Sequence, residues 1–337
     1  MTNKRKIYYM LHSGKNNKMK FFVEAYMRQC VPTWITCRLL RKELQQLEKR
    51  DDREEILRRA DYYCKLTPDT PYNRKAFDHK AVSIKDQPVI QPKVYYFDAM
   101  DTARYFDQHL RWILKAGDVA DLQPLPTILK SRPIGDNNQC SVVLNLNRVR
   151  HFLFVNDHKT WREKRDIAIF RGDVGNPKDG NVKPNRVVFM NHWYGHPLVD
   201  AASIDCIDGH PEWQQEKMTI GEHLDYKFIM SLEGNDVASN LKWVMSSNSI
   251  AVTPRHTRET WFMEGKLIPN YHYIEVKDDF SDLEERLTYY IEHPEEAETI
   301  IQHAHEWVDQ FRDKKREKLI SLLVLKKYFE MTNQVFL

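Results

Sequence analysis

The sequence lacks a long apolar segment and a secretion signal. No uninterrupted hydrophobic run in its 337 residues approaches the roughly 20 residues that a membrane-spanning helix needs. The first ten residues are basic in part, but no apolar stretch with a small-residue cleavage site follows them. A mean hydropathy of -0.65 fits a water-soluble globular protein. We therefore expect a cytoplasmic chain that neither spans a membrane nor is secreted.

Motifs for disulfides, metals and P-loop phosphate binding are also missing. The five cysteines are scattered without a C-x-x-C spacing, so reduced thiols are expected. Neither H-E-x-x-H nor Asp-x-Asp occurs, and we predict no metal ion and no cofactor. His192, His196, His210 and His223 are expected at surface or capping positions. The absence of G-x-x-x-x-G-K-[ST] excludes a P-loop phosphotransferase.

Positive charge is concentrated at the start of the chain. Residues 1–50 hold twelve Lys and Arg but three Asp and Glu, although the whole chain has a formal charge of only +3. Phe21, Phe22, Tyr26 and Trp34 lie among these cations. Such a segment fits an anionic membrane surface or a phosphorylated acceptor, and it equally fits a solvated helix face. No nucleic-acid-binding motif accompanies the charge, so nucleic acid is not an expected partner.

The length exceeds that of one ordinary hydrophobic core, and we predict two α/β domains. Residues 1–155 form the predicted N-terminal domain, with one or two amphipathic helices between residues 31 and 66. There the sequence predicts a strand at 94–97, a helix at 103–115 and a strand at 127–129. A C-terminal helix is predicted within residues 312–337, packing back on this domain.

Residues 156–311 form the predicted second domain, which is Rossmann-like. Apolar runs alternate with helical segments and turn residues, the pattern of a parallel sheet. Five strands are predicted, at 167–170, 198–204, 226–232, 249–253 and 271–276. Helices are predicted at 186–193 and 238–245, with a capping box at Ser281-x-x-Glu284 and a helix beginning at Pro294.

The turn after the third of these strands is a candidate anion site. If a helix starts at Ala238, its free N–H groups and dipole favour a diphosphate beside it. Lys242 would add positive charge if it pointed towards a cleft. A glycine at a strand end also occurs for turn geometry alone, so both interpretations stay open. The candidate residues are Gly234, Asn235, Asp236, Val237, Ala238, Ser239, Asn240 and Lys242.

Two arginines flank the loop that follows the first strand of the predicted sheet. Arg171 and Gly172 end the strand, Asp173 opens the loop, and Arg186 opens the next helix. Guanidinium groups bind phosphate through forked, charge-assisted hydrogen bonds, so both arginines are candidate diphosphate ligands. The alternative for each is a structural arginine that satisfies loop carbonyls or a carboxylate.

The ordered series of motifs resembles glycosyltransferase family 90. It comprises Phe-Arg-Gly at 170–172, Arg186, Gly-Asn-Asp-Val-Ala-Ser-Asn-Leu-Lys-Trp at 234–243, Glu-Thr-Trp-Phe at 259–262 and His-Tyr-Ile-Glu-Val at 272–276. Lys-Ser-Arg-Pro at 130–133 resembles the bacterial lipopolysaccharide branch. The resemblance covers roughly residues 125–310.

The resemblance implies a metal-independent, inverting, UDP-sugar-dependent transferase of GT-B architecture, with two Rossmann-like domains facing across a cleft. It places Asp173, Arg186 and residues 236–240 at the nucleotide sugar, and Glu259 at the donor sugar or at a helix cap. The catalytic base would lie in the segment 131–140, where Asp136 is the only carboxylate. That aspartate also fits an ordinary tight turn, the aligned residue may instead be Asn138, and Asp157 is the second candidate base.

We therefore expect an enzyme that transfers a hexose from a UDP-sugar to a hydroxyl of a lipopolysaccharide core or a related surface glycan. Its acceptor would be a glycan or a lipid-linked glycan, with a peripheral position at the inner face of the inner membrane. The alternative is a non-catalytic sugar-nucleotide or glycan-binding protein of the same fold.

Overall fold

The computed structural model describes residues 3–176, 178 and 180–334, and the chain divides into two compact units. Unit 1 comprises residues 1–16, 150–256 and 266–310, and unit 2 comprises residues 17–149, 257–265 and 311–337. Residues 1–2, 177, 179 and 335–337, which fall within the predicted domains, the loop 173–185 and the C-terminal segment, lie outside the described residues. Within those described ranges, no helix is long and apolar enough to cross a bilayer.

The α-helices run in chain order as follows: α1 Asn3–His12, α2 Lys18–Gln29, α3 Thr33–Leu44, α4 Arg53–Tyr63, α5 Arg74–Lys80, α6 Lys93–Ala103, α7 Arg148–His151, α8 Pro184–Trp193, α9 Ile220–His223, α10 Leu241–Met245, α11 Leu283–Glu292, α12 Pro294–Asp309 and α13 Lys314–Met331. The strands are β1 Val82–Ser83, β2 Arg111–Trp112, β3 Thr127–Leu129, β4 Arg132–Pro133, β5 Ser141–Val143, β6 Arg165–Gly172, β7 Gly175–Asn176, β8 Asn181–Val182, β9 Val199–Ser203, β10 Tyr226–Met230, β11 Ile250–Thr253, β12 Arg258–Glu259 and β13 Ile274–Glu275.

Unit 1 is built on a five-stranded parallel sheet with the order β13-β11-β10-β6-β9. All five strands predicted for the C-terminal half are present, and the α/β class is confirmed. Strands β10 and β11 are buried along their whole length and β6 is buried at residues 168–170, because helices cover both faces of a parallel sheet. Ala168, Phe228 and Val252 lie in the core, together with Phe189 of α8 and Leu287 of α11.

Unit 2 has shorter strands and more helix. Its described strands form two-stranded sheets: β1 with β2 and β4 with β12, both antiparallel, and β3 with β5, which is parallel. Helix α13, in the segment predicted to be a C-terminal helix, packs against α4 and α6. The predicted helices between residues 31 and 66 are confirmed as α3 and α4.

Two elements predicted in unit 2 are wrong. Residues 94–97 belong to helix α6 rather than to a strand. A short apolar run does not distinguish a strand from a buried helix, and here the burial continues through Ala99, Met100 and Ala103 at helical spacing. The predicted helix at 103–115 is absent, because the chain turns at Asp107, whose carboxylate accepts from the His109 N–H at 2.8 Å. It then enters β2.

Two predicted helix starts in unit 1 are also wrong. Helix α10 begins at Leu241 rather than Ala238, since residues 235–240 form bends and turns. Helix α11 begins at Leu283 after Asp282, so Ser281 does not cap it. The Asp282 carboxylate instead accepts from the Lys277 N–H at 2.9 Å. Helix α12 does begin at Pro294, as predicted.

Candidate active site

The sheet of unit 1 changes direction beside β6. The chain passes from β6 to β9 on one side, and the next strand, β10, pairs with the other side of β6. Ligands of open α/β sheets bind at such a switch point, in the crevice beyond the carboxyl ends of the strands. In this protein the switch point lies beyond β6 and β10, where the predicted Gly172-Asp173 and Gly234 segments follow those strands.

Arg186 joins the two chain segments at the switch point. Its Nη1 donates to the Asp173 carbonyl at 2.7 Å, and its Nη2 donates to the Leu232 carbonyl at 2.7 Å. Its Nε donates to the Glu233 carbonyl at 3.1 Å, an oxygen that also accepts from the Asn185 amide at 3.0 Å. These bonds use three of the five guanidinium N–H groups, which leaves a second N–H on each terminal nitrogen.

Two of the predicted glycines make room for this guanidinium. A Cβ at Gly234 would lie 3.0 Å from Arg186 Nη2, and one at Gly172 would lie 3.4 Å from Nη1 and 2.8 Å from the Phe170 ring. Side chains at both positions would therefore crowd the arginine. The glycines of this site act by giving space to a cation, in addition to any role in turn geometry.

Positive charge accumulates around Arg186. The pKa of its guanidinium is lowered to about 10, chiefly by burial and in part by the charge of Arg150, while Asp173 acts in the opposite direction. The ammonium of Lys183 forms an ion pair with Asp173 and is buried. Burial favours the neutral form of Asp173, but hydrogen bonds from Lys183 and from the Gly175 N–H hold the pKa of this carboxyl below its usual range. Three cations and one carboxylate thus meet at the switch point.

Arg150 and Lys183 were missed by the sequence reasoning. Arg150 is exposed, and among the described residues it forms no ion pair or hydrogen bond. It follows directly on the last residue of unit 2 in this part of the chain, so no strand or helix pattern marked it. Lys183 immediately precedes Pro184 at the start of α8, a position that could have indicated it.

The turn after β10 is held by its own polar groups. Asn240 donates from its amide to the Met230 carbonyl at 3.0 Å, which ties the turn to the end of the strand. Asp236, Val237 and Ala238 are buried, while Asn235 is exposed and Ser239 is half-buried. The five-residue α10 behind this turn is fully buried, including Lys242 at 0% exposure. Contrary to the prediction from the sequence, no helix therefore begins at residue 238 to contact a diphosphate. A turn occupies that position, and the cations around Arg186 lie near it.

Arg171 has a different environment. It donates to the Asp200 carboxylate at 2.7 Å and to Gln215 at 2.8 Å from one terminal nitrogen, and to the Phe170 and Asp200 carbonyls at 2.9 Å from the other. Both terminal nitrogens are thereby occupied, and the side chain is 6% exposed. This geometry matches the structural alternative for Arg171 and leaves no terminal N–H for a phosphate.

Glu259 belongs to unit 2 and lies in a buried ion pair. Its carboxylate accepts from Arg132 Nε at 2.8 Å and from the Tyr62 hydroxyl, and the residue is 1% exposed. Neighbouring Trp261 is also part of the core of this unit. These contacts indicate a structural function for Glu259, and they give no support to donor-sugar binding.

The candidate bases differ in their availability. Asp136 is exposed in the turn between β4 and β5, and its carbonyl accepts from the Gln139 amide at 2.6 Å. Asn138 is buried and binds Lys65 and the Pro133 carbonyl. Asp157 is tied to the buried Lys164 at 2.7 Å, with its side chain 3% exposed. Of the two carboxylates, only Asp136 is open to a substrate hydroxyl.

Metal ligands are not clustered in the described part of the chain. Across residues 3–176, 178 and 180–334, no group of three or more His, Cys, Asp or Glu side chains is arranged to hold an ion. Metal independence itself stays a prediction.

A parallel sheet with a cationic switch point defines an α/β protein suited to an anionic ligand, and comparison with known proteins identifies the class. The family model described as Glycosyl transferase family 90 matches residues 144–332, more than half of the chain. The chain belongs to this family, and it is a glycosyltransferase.

A particular relative covers almost the whole chain. The O-glucosyltransferase LpsA of Dichelobacter nodosus is 36% identical over 318 residues, which span 94% of this chain and 96% of the relative. The match therefore covers most of both units.

Proposed function

We propose that this protein is an inverting hexosyltransferase that transfers a sugar from UDP to a hydroxyl of a lipopolysaccharide core or a related surface glycan. Glucose is the proposed donor sugar, because the relative with 36% identity is named an O-glucosyltransferase. The acceptor is proposed from the resemblance to the lipopolysaccharide branch. The GT-B arrangement, with donor and acceptor sites in two facing domains, is part of the same proposal.

The observation that carries the proposal is the half-buried Arg186 at the switch point. A diphosphate would add negative charge where three cations, Arg186, Lys183 and Arg150, meet the one carboxylate of Asp173. The free N–H on each terminal nitrogen of Arg186 is suited to phosphate oxygens. As the bond from the anomeric carbon to UDP breaks, negative charge develops on the leaving diphosphate, and fixed cations stabilise it.

Asp136 is the proposed general base. It would take the proton of the acceptor hydroxyl while that oxygen attacks the anomeric carbon from the side opposite to UDP. The products are UDP, a protonated carboxyl on Asp136, and a glycoside whose anomeric configuration is opposite to that of the donor. Its exposed position in a turn of unit 2 leaves the carboxylate accessible to such a hydroxyl.

Arg150 provides a sharp test of the donor site. Because this arginine is exposed and has no partner in the described part of the chain, Arg150→Gln should not affect folding. UDP affinity, measured by titration calorimetry, should fall about fivefold to tenfold, the equivalent of about 1–1.5 kcal/mol for one charged contact. The matched control is Arg165→Gln, an exposed arginine at the opposite end of β6.

Equal UDP affinities for the wild type and both variants would remove Arg150 from the site. A panel of UDP-sugars, assayed for UDP release with and without EDTA, tests the donor and metal independence. Tight UDP binding without release from any donor, in the presence of lipopolysaccharide acceptors, would favour the non-catalytic alternative.

A further inference from the structure

Helix α1 is attached to unit 1 by its polar side. Arg5 forms a bidentate pair with Glu222, at 2.7 and 2.8 Å, and donates to the Lys217 carbonyl at 2.9 Å. At the other end of the helix, the Ser13 carbonyl accepts from the Ile220 N–H at 3.2 Å. The first helix is therefore held in place at both of its ends.

The opposite side of α1 is apolar and exposed. Ile7, Met10 and Leu11 are 55%, 72% and 68% exposed, and no residue of α1 is buried. At about 100° per residue these three side chains form one stripe, on the face opposite Arg5. A helix that docks through an ion pair and presents its apolar stripe to solvent reverses the usual packing of a globular protein.

Positive charge surrounds the apolar stripe. Lys4 and Lys6 are exposed and lie on either side of it, and Lys15 follows the helix. No acidic residue occurs in the chain before Glu24. An apolar stripe flanked by lysines is the pattern of a helix that lies in the interface of an anionic bilayer.

Helix α2, taken within unit 2, packs by apolar side chains and also exposes others. One side packs through the buried Ala25 and through Phe22, whose ring is 5.9 Å from that of Phe97. The other side exposes Met19 at 75% and Met27 at 66%, beside exposed lysines. Each unit thus carries its own exposed, basic and amphipathic helix.

From this combination we infer that α1 docks the protein on an anionic lipid bilayer, with the stripe of Ile7, Met10 and Leu11 in the headgroup region and the flanking lysines at the lipid phosphates. The inference is independent of the proposed donor site, because lipid binding can be measured without any sugar nucleotide. A second copy of the chain, which would also cover an apolar stripe, is not favoured by the like charge on both copies.

Co-sedimentation of the full chain with vesicles tests this inference. Vesicles of phosphatidylcholine mixed with phosphatidylglycerol should bind the protein at low salt, and pure phosphatidylcholine vesicles should bind it much less. Added salt should weaken binding, because it screens exposed charges. The double variant Ile7→Asn/Leu11→Asn should bind about tenfold less, and Lys4→Gln about fivefold less.

The control is Ile268→Asn, since Ile268 is an isoleucine of the same unit with 54% exposure. This control should bind like the wild type. Because α1 buries no side chain and Ile268 is more than half exposed, both asparagine variants should keep the wild-type thermal midpoint. Unchanged vesicle binding by Ile7→Asn/Leu11→Asn, or equal loss in the control, would overturn the inference. A dimer that this double variant abolishes, without anionic-lipid binding by the wild type, would assign the stripe to a second copy.

Discussion

Replacing Arg186 by alanine should weaken UDP binding at least as much as it weakens the fold. Two carbonyls, those of Asp173 and Leu232, lose a charged hydrogen bond, while that of Glu233 keeps the Asn185 amide. At about 1.5–3 kcal/mol for each bond, the loss is about 3–6 kcal/mol.

The substitution also removes a charge that the fold holds at a cost. Burial lowers the guanidinium pKa from 12.5 to about 10, which corresponds to about 3 kcal/mol against the charged form. The folded state carries this free-energy cost at every pH below about 10. The alanine variant has no guanidinium and does not carry it at neutral pH. The two contributions leave a net destabilisation of about 0–3 kcal/mol.

The free energy of UDP binding should fall by at least a comparable amount. Loss of a charged hydrogen bond to the diphosphate is worth about 1.5–3 kcal/mol, so the dissociation constant for UDP should rise by about tenfold to 150-fold. Calorimetric titration with UDP and chemical unfolding of the same preparations give the two quantities.

Arg171→Ala, near the end of β6, is the matched control. It breaks the bonds to Asp200 and should cost about 3 kcal/mol of stability, with UDP affinity within about threefold of wild type. Unchanged UDP affinity in Arg186→Ala, or the reverse pattern between the two variants, would refute the assignment of Arg186 to the diphosphate.

Three further outcomes are expected. Asp136→Asn should abolish turnover and leave UDP affinity intact, whereas an active variant would move the base elsewhere. Glu317→Ala should lower the free energy of unfolding by about 3–5 kcal/mol, because it strands Arg59, a guanidinium 1% exposed, in the core of unit 2; Asp61→Ala, an exposed partner of the same helix pair, should change it by less than about 0.5 kcal/mol. The pKa of Glu222 is held at about 2, chiefly by the hydrogen bond from its arginine partner in α1, so the ion pair stabilises the attachment of α1 above pH 4.5 and ceases to do so as the pH falls towards 2. Hydrogen exchange, corrected for its intrinsic pH dependence, should show α1 losing protection over that range. Protection that is unchanged down to pH 2 would contradict the attachment of α1 by this ion pair.

The sheet of unit 1 could be predicted from the sequence because its strands are regular. Apolar runs such as 167–170 and 226–230 alternate with helices and turns, and each strand lies in the buried middle layer where local pattern and burial agree. Unit 2 could not be predicted as well. Its apolar run 94–97 lies in a helix, and periodicity does not distinguish a buried strand from a buried helix in so short a run.

The candidate site was predictable in part for a similar reason. Arg186 and Gly234 follow from the strand ends, but the start of α10 does not, because Asn240 uses its side chain to hold the turn to Met230 rather than to cap an earlier helix. Arg150 had no local signal, since its nearness to Arg186 depends on how residue 150 enters unit 1. Contacts of this kind are set by tertiary structure.

The two predicted arginines show what distinguishes a binding cation from a structural one. Arg171 has a carboxylate, that of Asp200, within the fold, so its charge is already compensated and its donors are occupied. Arg186 is held by neutral carbonyls, and the carboxylate nearest to it is shared with Lys183. A half-buried cation fixed by neutral oxygens is held in one geometry and still attracts an anion, because carbonyl dipoles orient its charge without neutralising it. Holding such a cation in place costs folding stability, and the binding of an anion offsets that cost. This is the physical reason to place the diphosphate at Arg186.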